Sequence, residues 1–304
     1  MAKKIYKKIY KSGAVKFIRH LLLANTLVGL LIIIVLLPYK VSLALGRILG
    51  TLVCFTYKKY RITADKNLKK ALSGEYSPNE LRNIRIKTFK NIGMNLMEFA
   101  VLNFRSKKFW KKRIEIHGRE NIEKYLKQNK GIIYLTAHIG NWELMGAFLA
   151  MTGYPINVVA RKVYDRRLNW LLVNIRKRRD VNTIYRTGRR NTKKMIKVLK
   201  RGEVLGILID QDTKVGGTFA DFFGQPAYTP TAVSQFSRIK DTVILPGFIY
   251  RKSNLNHQII IKEAVPKGTN EQEETQKHNN IIENMIREEP SQWVWMHRRW
   301  KKRP

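Results

Sequence analysis

The sequence is poor in cysteine and in acidic residues, and it lacks several common catalytic signatures. Its 304 residues include a single cysteine, Cys54, so no disulfide can form within the chain and no thiol site is suggested. The zinc-binding pattern HExxH and the nucleophile elbow GxSxG are absent, and the six histidines do not cluster. These absences exclude the usual metalloprotease and serine-hydrolase arrangements, and we expect no bound metal.

Acidic residues number 22 against 59 lysines and arginines, which gives a net charge of +37. An excess of this size favours anionic partners, namely nucleic acid, an anionic membrane leaflet, an acidic substrate or an acidic carrier protein. A host whose proteins are generally basic is the alternative explanation. Apolar residues make up 44% of the chain, which excludes a disordered protein and allows a full core.

An uncharged apolar run, Leu21 to Leu37, follows a basic N-terminal segment and ends at Pro38. At a rise of about 1.5 Å per residue, it can nearly cross a hydrocarbon layer about 30 Å thick. A cleaved signal peptide is the competing interpretation. We favour a retained membrane anchor, because the run is long and no clear cleavage site follows it.

A second apolar stretch, Val41 to Thr56, is interrupted by Arg47 and two glycines, so we predict an interfacial or core helix there. The chain then becomes soluble in character. We therefore divide it into a basic segment with a membrane anchor, residues 1–56, and a catalytic domain, residues 57–304.

Beyond Arg61, predicted strands alternate with predicted helices. Ser77-Pro78-Asn79-Glu80 forms a capping box with proline at the first helical position, which predicts a helix running towards Leu102. Short β-branched runs such as GIIYLTAH and EVLGILID predict buried strands. This alternation predicts an α/β fold with a mostly parallel central sheet flanked by helices, preceded by an N-terminal membrane-anchor helix.

Three chemically active side chains follow predicted strands directly. His138, Arg161 and Asp210 each stand at the carboxyl end of one. Because ligands of parallel sheets gather beyond the carboxyl ends of the strands, we expect the site at that edge.

The segment IIYLTAHIGNWELMG, residues 132–146, carries a histidine at a strand end and a carboxylate in the next helix. His138 and Glu143 are five positions apart, so one helix cannot place them on the same face. Gly140 permits a turn between them and Asn141 can cap the new helix. We predict that Glu143 then fixes the imidazole tautomer, leaving the other nitrogen to take a proton. A purely structural histidine is the alternative.

The pattern HxxxxE within TAHIGNWE resembles the signature of the lysophospholipid acyltransferase superfamily. Within it, the chain resembles the lipid A biosynthesis acyltransferases of the lauroyl/myristoyl type. The resemblance covers nearly the whole chain. Its blocks are the N-terminal anchor, Arg61 with Asn67 and Leu68, GNWE, Arg161, Trp170 with Arg176, GEV…DQD (Gly202 to Asp212), Phe222-Phe223-Gly224 and the terminal QWVWMHRRWKKRP.

The resemblance implies transfer of a fatty acyl group from acyl carrier protein to a hydroxyl on an acyl chain of a lipid A precursor. Acyl-CoA is the other donor we consider, and no cofactor is expected. The implied partners are acyl carrier protein, a lipid A precursor and membrane lipids, and no nucleic acid. The implied location is the bacterial inner membrane, with the catalytic domain at its cytoplasmic face.

The resemblance also assigns roles to individual residues. His138 would be the general base and Glu143 its orienting, charge-balancing partner. Arg161 and Arg176 would hold a sugar phosphate or stabilise an oxyanion, and Asp210 and Gln211 would shape the acceptor side. Gly140 and Asn141 would supply the supporting turn.

Three questions stay open at this point. The acceptor could be another glycolipid or a lysophospholipid. A membrane-tethered nucleic-acid-binding protein is the alternative of another class, although no nucleic-acid motif is recognised. The terminal WVWMHRRWKKRP could be a solvated tail, or its indoles could pack or lie at a lipid–water interface.

Overall fold

The computed structural model describes residues 34–302, and its centre is a seven-stranded sheet. The strands are β1 (Ile114–His117), β2 (Gly131–Thr136), β3 (Ile156–Ala160), β4 (Asn182–Tyr185), β5 (Val204–Leu208), β6 (Gly217–Phe222), β7 (Gln225–Pro230), β8 (Thr242–Arg251) and β9 (His257–Ile261). The sheet order is β1-β9-β8-β2-β5-β3-β4, while β6 and β7 form a separate antiparallel hairpin. Every pairing in the large sheet is parallel except β8 with β9. The predicted mostly parallel sheet is confirmed.

Helices flank this sheet. They are α1 (Tyr39–Thr56), α2 (Lys58–Leu72), α3 (Pro78–Val101), α4 (Lys107–Lys111), α5 (Arg119–Lys127), α6 (Trp142–Met151), α7 (Arg166–Lys177), α8 (Arg189–Lys200), α9 (Ala232–Ser237) and α10 (Glu271–Glu288), with short 3₁₀ turns at Leu102–Phe104 and Pro290–Gln292. The capping box at the start of α3 is present, since Ser77 and Glu80 each accept the other's backbone N–H.

Strand β2 is the middle of the fold, because it pairs in parallel with both β5 and β8. All of its residues are buried, and successive side chains point to opposite faces of the sheet, so they pack into two separate core clusters. Ile133 and Leu135 pack into the cluster that contains Trp293, whereas Ile132 and Tyr134 pack into the cluster on the other face. The carboxyl end of β2 therefore has a fixed position between two packed layers.

Helix α1 corresponds to the second apolar stretch of the sequence. One side packs closely on α3, where the backbone of Gly50 approaches Phe89 and that of Gly46 approaches Gly93. The other side is apolar and exposed; it carries Val41, Leu45, Ile48, Leu49, Leu52 and Val53. Within residues 34–302, α1 is the one helix long and apolar enough to cross a membrane. Some core helices of soluble proteins and some signal sequences are equally long and apolar. Most of the predicted anchor Leu21–Leu37 lies outside the described residues, and the boundary at residue 56 stays a prediction.

The C-terminal segment is part of the core. Trp293, Trp295 and Arg299 are buried, and Asn67 of α2 donates to the backbone oxygens of Trp295 (2.7 Å) and His297 (2.6 Å). Of the alternatives considered for this segment, packing is therefore confirmed for these two indoles, and a fully solvated tail is wrong.

Candidate active site

His138 and Asp210 meet at the carboxyl edge of the sheet. His138 follows β2 and Asp210 follows the adjacent parallel strand β5. Asp210 Oδ1 lies 2.8 Å from His138 Nδ1, and the His138 backbone N–H donates to Asp210 Oδ2 at 2.9 Å. The same carboxylate thus holds both the ring and the backbone of His138.

Asp210 is held in its ionised form. Its side chain is 1% exposed, and Trp293 Nε1 donates to Oδ2 at 2.8 Å. Although burial raises the pKa of this carboxyl, the charge and hydrogen bonds of His138 and the Trp293 bond bring it down to about 2. An ionised carboxylate only accepts hydrogen bonds, so Nδ1 of His138 carries the hydrogen and Nε2 is left with a free lone pair.

Glu143 does not form the predicted pair with His138, and that expectation is corrected. Its carboxylate binds Arg176 through two bonds, Nε to Oε2 at 2.8 Å and Nη2 to Oε1 at 2.5 Å. Within the described part of the chain, no hydrogen bond joins Glu143 to His138. The physical reason is competition: β5 places Asp210 directly beside the imidazole, while α7 brings a half-buried guanidinium to the first turn of α6.

Arg176 is consequently less available than predicted for holding a substrate phosphate. Burial lowers the pKa of Arg176, but the hydrogen bond and charge of Glu143 outweigh it, so the net shift is upward. The bidentate pair cross-links α6 to α7.

Gly140 and Asn141 form the turn between His138 and α6. Gly140 has φ +56°, and a Cβ there would lie 2.0 Å from the backbone oxygen of Ile249. Its N–H donates to Gln292 O at 2.9 Å, and its carbonyl accepts from Asn95 Nδ2 at 2.6 Å. Asn141 caps α6 by accepting the N–H of Leu144 at 3.1 Å. Both residues have the local roles that the sequence predicted.

A buried polar network centred on Glu98 contacts this turn through Asn141. Asn141 Nδ2 donates to Glu98 Oε2 at 2.7 Å, and Tyr39 of α1 donates to Oε1 at 2.6 Å. Arg251 binds both carboxylate oxygens, and His257 Nε2 lies 2.8 Å from Oε1. Burial raises the pKa of Glu98, but Arg251 and His257 together hold it well below its usual value. The network connects α1, α3, β8 and β9 to the cap of α6.

His138 opens onto a cavity of about 980 Å³, and its side chain is 22% exposed there. The ring of Trp142 meets the imidazole edge to face at 4.8 Å. Buried apolar side chains form part of the wall; they include Tyr134, Met145, Leu149, Ile156 and Val204. Exposed basic side chains line another part; they include Arg161, Lys162, Lys214 and Lys301.

The structure places the remaining predicted residues on this cavity. Arg161 follows β3 and lines it, as does Gln211, which follows Asp210. Arg186 lies near Arg161; burial and then the charge of Arg161 lower its pKa. Asp212 is engaged by Lys302, whose N–H donates to it at 2.9 Å. The cavity can therefore accept a chain that is apolar along its length and anionic at its head.

Sequence reasoning missed two features of this site. It assigned Asp210 to the acceptor side and did not pair it with His138. It also gave Trp293 no role, although indole N–H groups usually find a partner when buried. The position of Asp210 at a strand end was a usable signal for the first, and the terminal indoles for the second.

Known proteins resemble this chain over nearly its whole length. A family model described as bacterial lipid A biosynthesis acyltransferase matches residues 15–302. The lipid A biosynthesis palmitoleoyltransferase of Escherichia coli K12 is 28% identical over 280 residues, 91% of this chain and 90% of the relative. The lipid A biosynthesis lauroyltransferase of the same organism is 29% identical over 282 residues, 91% and 90%. A lipid A biosynthesis acyltransferase of Haemophilus influenzae is 23% identical over 268 residues, 88% and 83%.

Proposed function

The chain belongs to the bacterial lipid A biosynthesis acyltransferase family, and we propose that it moves a fatty acyl group from acyl carrier protein to a hydroxyl on an acyl chain of a lipid A precursor. It is an acyltransferase of lipid A biosynthesis. One observation supports the proposed donor, acceptor and mechanism. Asp210 holds His138 on the wall of a cavity that is lined partly by buried apolar and partly by exposed basic side chains. The nucleic-acid-binding alternative has no support in the family match.

His138 is the general base of the proposed reaction. Because Asp210 holds the hydrogen on Nδ1, Nε2 accepts the proton of the attacking hydroxyl. The buried carboxylate then stabilises the imidazolium that forms. Asp210 takes over the role that the sequence had assigned to Glu143, and the Glu143–Arg176 pair keeps the wall formed by α6 and α7 in place.

The transfer proceeds by direct attack. The hydroxyl oxygen bonds to the thioester carbonyl carbon while its proton passes to His138 Nε2. The tetrahedral intermediate then collapses, the C–S bond breaks, and the departing thiolate takes the proton back from the imidazolium. The products are an ester and a free thiol. No enzyme-bound acyl group is required, and no cofactor is needed, because the thioester supplies the activated acyl group.

The cavity lining suggests how the substrates are held. The buried apolar side chains suit a fatty acyl chain, and burial of such a chain contributes about 0.8 kcal/mol per methylene. Arg161, Lys162 and Lys214 suit the phosphate of the acceptor or the acidic surface of a carrier protein. We place the reaction at the cytoplasmic face of the inner membrane, where acyl carrier protein is available.

The proposal is tested with the purified full-length protein, acyl carrier protein thioester and a lipid A precursor, with products identified by mass spectrometry. Parallel reactions replace the donor by acyl-CoA and the acceptor by a lysophospholipid or another glycolipid. His138→Ala should abolish transfer, whereas His117→Ala, at an exposed histidine outside the cavity, should not. Transfer only to another acceptor, or full activity of His138→Ala, would overturn the proposal.

A further inference from the structure

Helix α7 exposes an unusual set of apolar side chains. Tyr164, just before it, is 99% exposed and Trp170 is 67% exposed, and Leu168 and Leu171 are exposed as well. None of the residues of α7 is buried. Single exposed apolar residues are ordinary, but large aromatic and aliphatic side chains gathered on one short segment mark a contact surface.

Basic residues are interspersed with these apolar ones. The exposed cations of the segment that lie outside the cavity lining are Arg166, Arg167, Lys177 and Arg178. The neighbouring acid Asp165 is engaged in capping α7, where it accepts the N–H of Leu168 at 2.8 Å. Tryptophan and tyrosine combined with arginine and lysine are typical of segments that lie at the boundary between lipid headgroups and acyl chains.

The opposite face of α7 forms a wall of the cavity. Asn169, Leu172, Val173 and Arg176 line it, and their spacing places them on one side of the helix. The helix therefore has one face towards the substrate cavity and one face towards the surroundings. Whatever contacts the outer face lies one helix diameter, about 10 Å, from the cavity.

The C-terminal end of α7 is joined to the N-terminal apolar part of the chain. Arg179 donates to Arg105 O at 2.6 Å, and Arg105 in turn donates to Leu37 O at 2.7 Å. Between these contacts, Phe104 is 53% exposed and Leu36 is 77% exposed. Exposed apolar side chains thus flank the contact that joins the segment leading into α1 to the end of α7.

We propose that the outer face of α7 lies in the headgroup region of an anionic bilayer, as a membrane contact separate from the N-terminal apolar segment. An anionic leaflet matches both halves of the surface: its phosphates match the arginines and lysines, and its upper acyl region matches Trp170, Leu168 and Leu171. An acidic carrier protein would match only the charges. The contact brings the cavity wall to the surface at which a lipid acceptor resides.

The test measures lipid contact without requiring turnover. Full-length protein carrying Trp170→Cys is labelled with an environment-sensitive fluorophore and reconstituted in nanodiscs of phosphatidylethanolamine and phosphatidylglycerol. Cys54 is fully buried and stays unlabelled. The matched control is Lys200→Cys, exposed at the end of α8, next to the amino end of β2 and so at the opposite edge of the sheet. We expect a blue shift and strong quenching by headgroup-labelled lipids at position 170, and neither at 200.

Equal, weak quenching at both positions would overturn the proposal. So would a label at 170 that responds to acyl carrier protein and not to lipid. As a second measurement, Trp170→Glu with Leu171→Glu should lower transfer to a bilayer-embedded acceptor about tenfold while leaving transfer to a micellar acceptor unchanged. Loss in both settings would also overturn it. If wild type transfers no acyl group, the quenching still decides the membrane contact, so this inference and the proposed function can fail separately.

Discussion

Asp210→Asn is the substitution that best separates the pair seen in the structure from the pair expected from the sequence. Asparagine preserves the volume of the buried carboxylate but has one acceptor oxygen where aspartate has two. That oxygen can still accept from the His138 backbone and from Trp293, which leaves the amide NH₂ facing His138 Nδ1. The imidazole must then carry its hydrogen on Nε2, and in that tautomer it cannot take a proton from the acceptor hydroxyl.

Two effects of different size follow. Removal of general-base catalysis costs about 10²–10⁴ in rate, so we expect kcat to fall by about that factor with little change in KM. The second effect is on stability. The pKa of Asp210 is lowered to about 2 in the folded protein, so its ionised form contributes stability above the usual value of 3.8 that is lost as the pH falls towards 2. That contribution is about 2 kcal/mol at neutral pH, and Asp210→Asn should remove an amount of this order.

The assay is acyl transfer at saturating donor and acceptor, with Glu143→Gln measured beside Asp210→Asn. Glu143→Gln weakens the ion pair with Arg176 and leaves the imidazole tautomer unchanged, so we expect a smaller loss that appears partly in KM. If Asp210→Asn kept kcat within about threefold of wild type while Glu143→Gln lost it, the role of Asp210 as the partner of His138 would be refuted. Circular dichroism and thermal unfolding serve as controls for folding of both variants.

The remaining predictions concern the surroundings of the pair. Trp293→Phe keeps a buried ring but removes one donor to Asp210, so transfer should slow about tenfold, and an unchanged rate would contradict that role. Gly140→Ala places a Cβ against the backbone of β8 at φ +56°, so the midpoint of denaturant unfolding should drop; a wild-type midpoint would argue against the strain. Glu98→Gln leaves a buried arginine without its counter-charge and should cost about 3–5 kcal/mol, seen as a lower Tm. Burial lowers the pKa of His278 from the usual 6.5 to about 4. Between these two pH values the unfolded chain binds a proton at His278 and the folded chain does not, so the free energy of unfolding rises with pH over that range. His278→Gln should reduce this slope by about 1.4 kcal/mol per pH unit in urea titrations, and an unaltered slope would exclude the assignment.

Apart from the mostly parallel sheet and the sheet edge that carries the site, the features predicted correctly from the sequence are local ones. The Gly140–Asn141 turn, the cap of α3 and the buried character of β2 depend on neighbouring residues, whose chemistry can be recognised directly in the sequence. The partner of His138 depends instead on strand order. Only the adjacency of β2 and β5 brings Asp210 to the imidazole, and that order comes from long-range packing. Glu143 was the natural candidate because it is close in sequence, but α7 holds it elsewhere.

The contact between Trp293 and Asp210 has a consequence for the order in which the active site forms during translation. The N-terminal apolar segment and His138 leave the ribosome long before Trp293 does, and the site also needs Gln292, whose backbone oxygen accepts the Gly140 N–H. A nascent chain can therefore emerge past His138 while the imidazole's partner, Asp210, still lacks its hydrogen bond from Trp293. Chains terminated before residue 293 should therefore be catalytically inactive. The enzyme would then acquire activity only once translation has passed this segment.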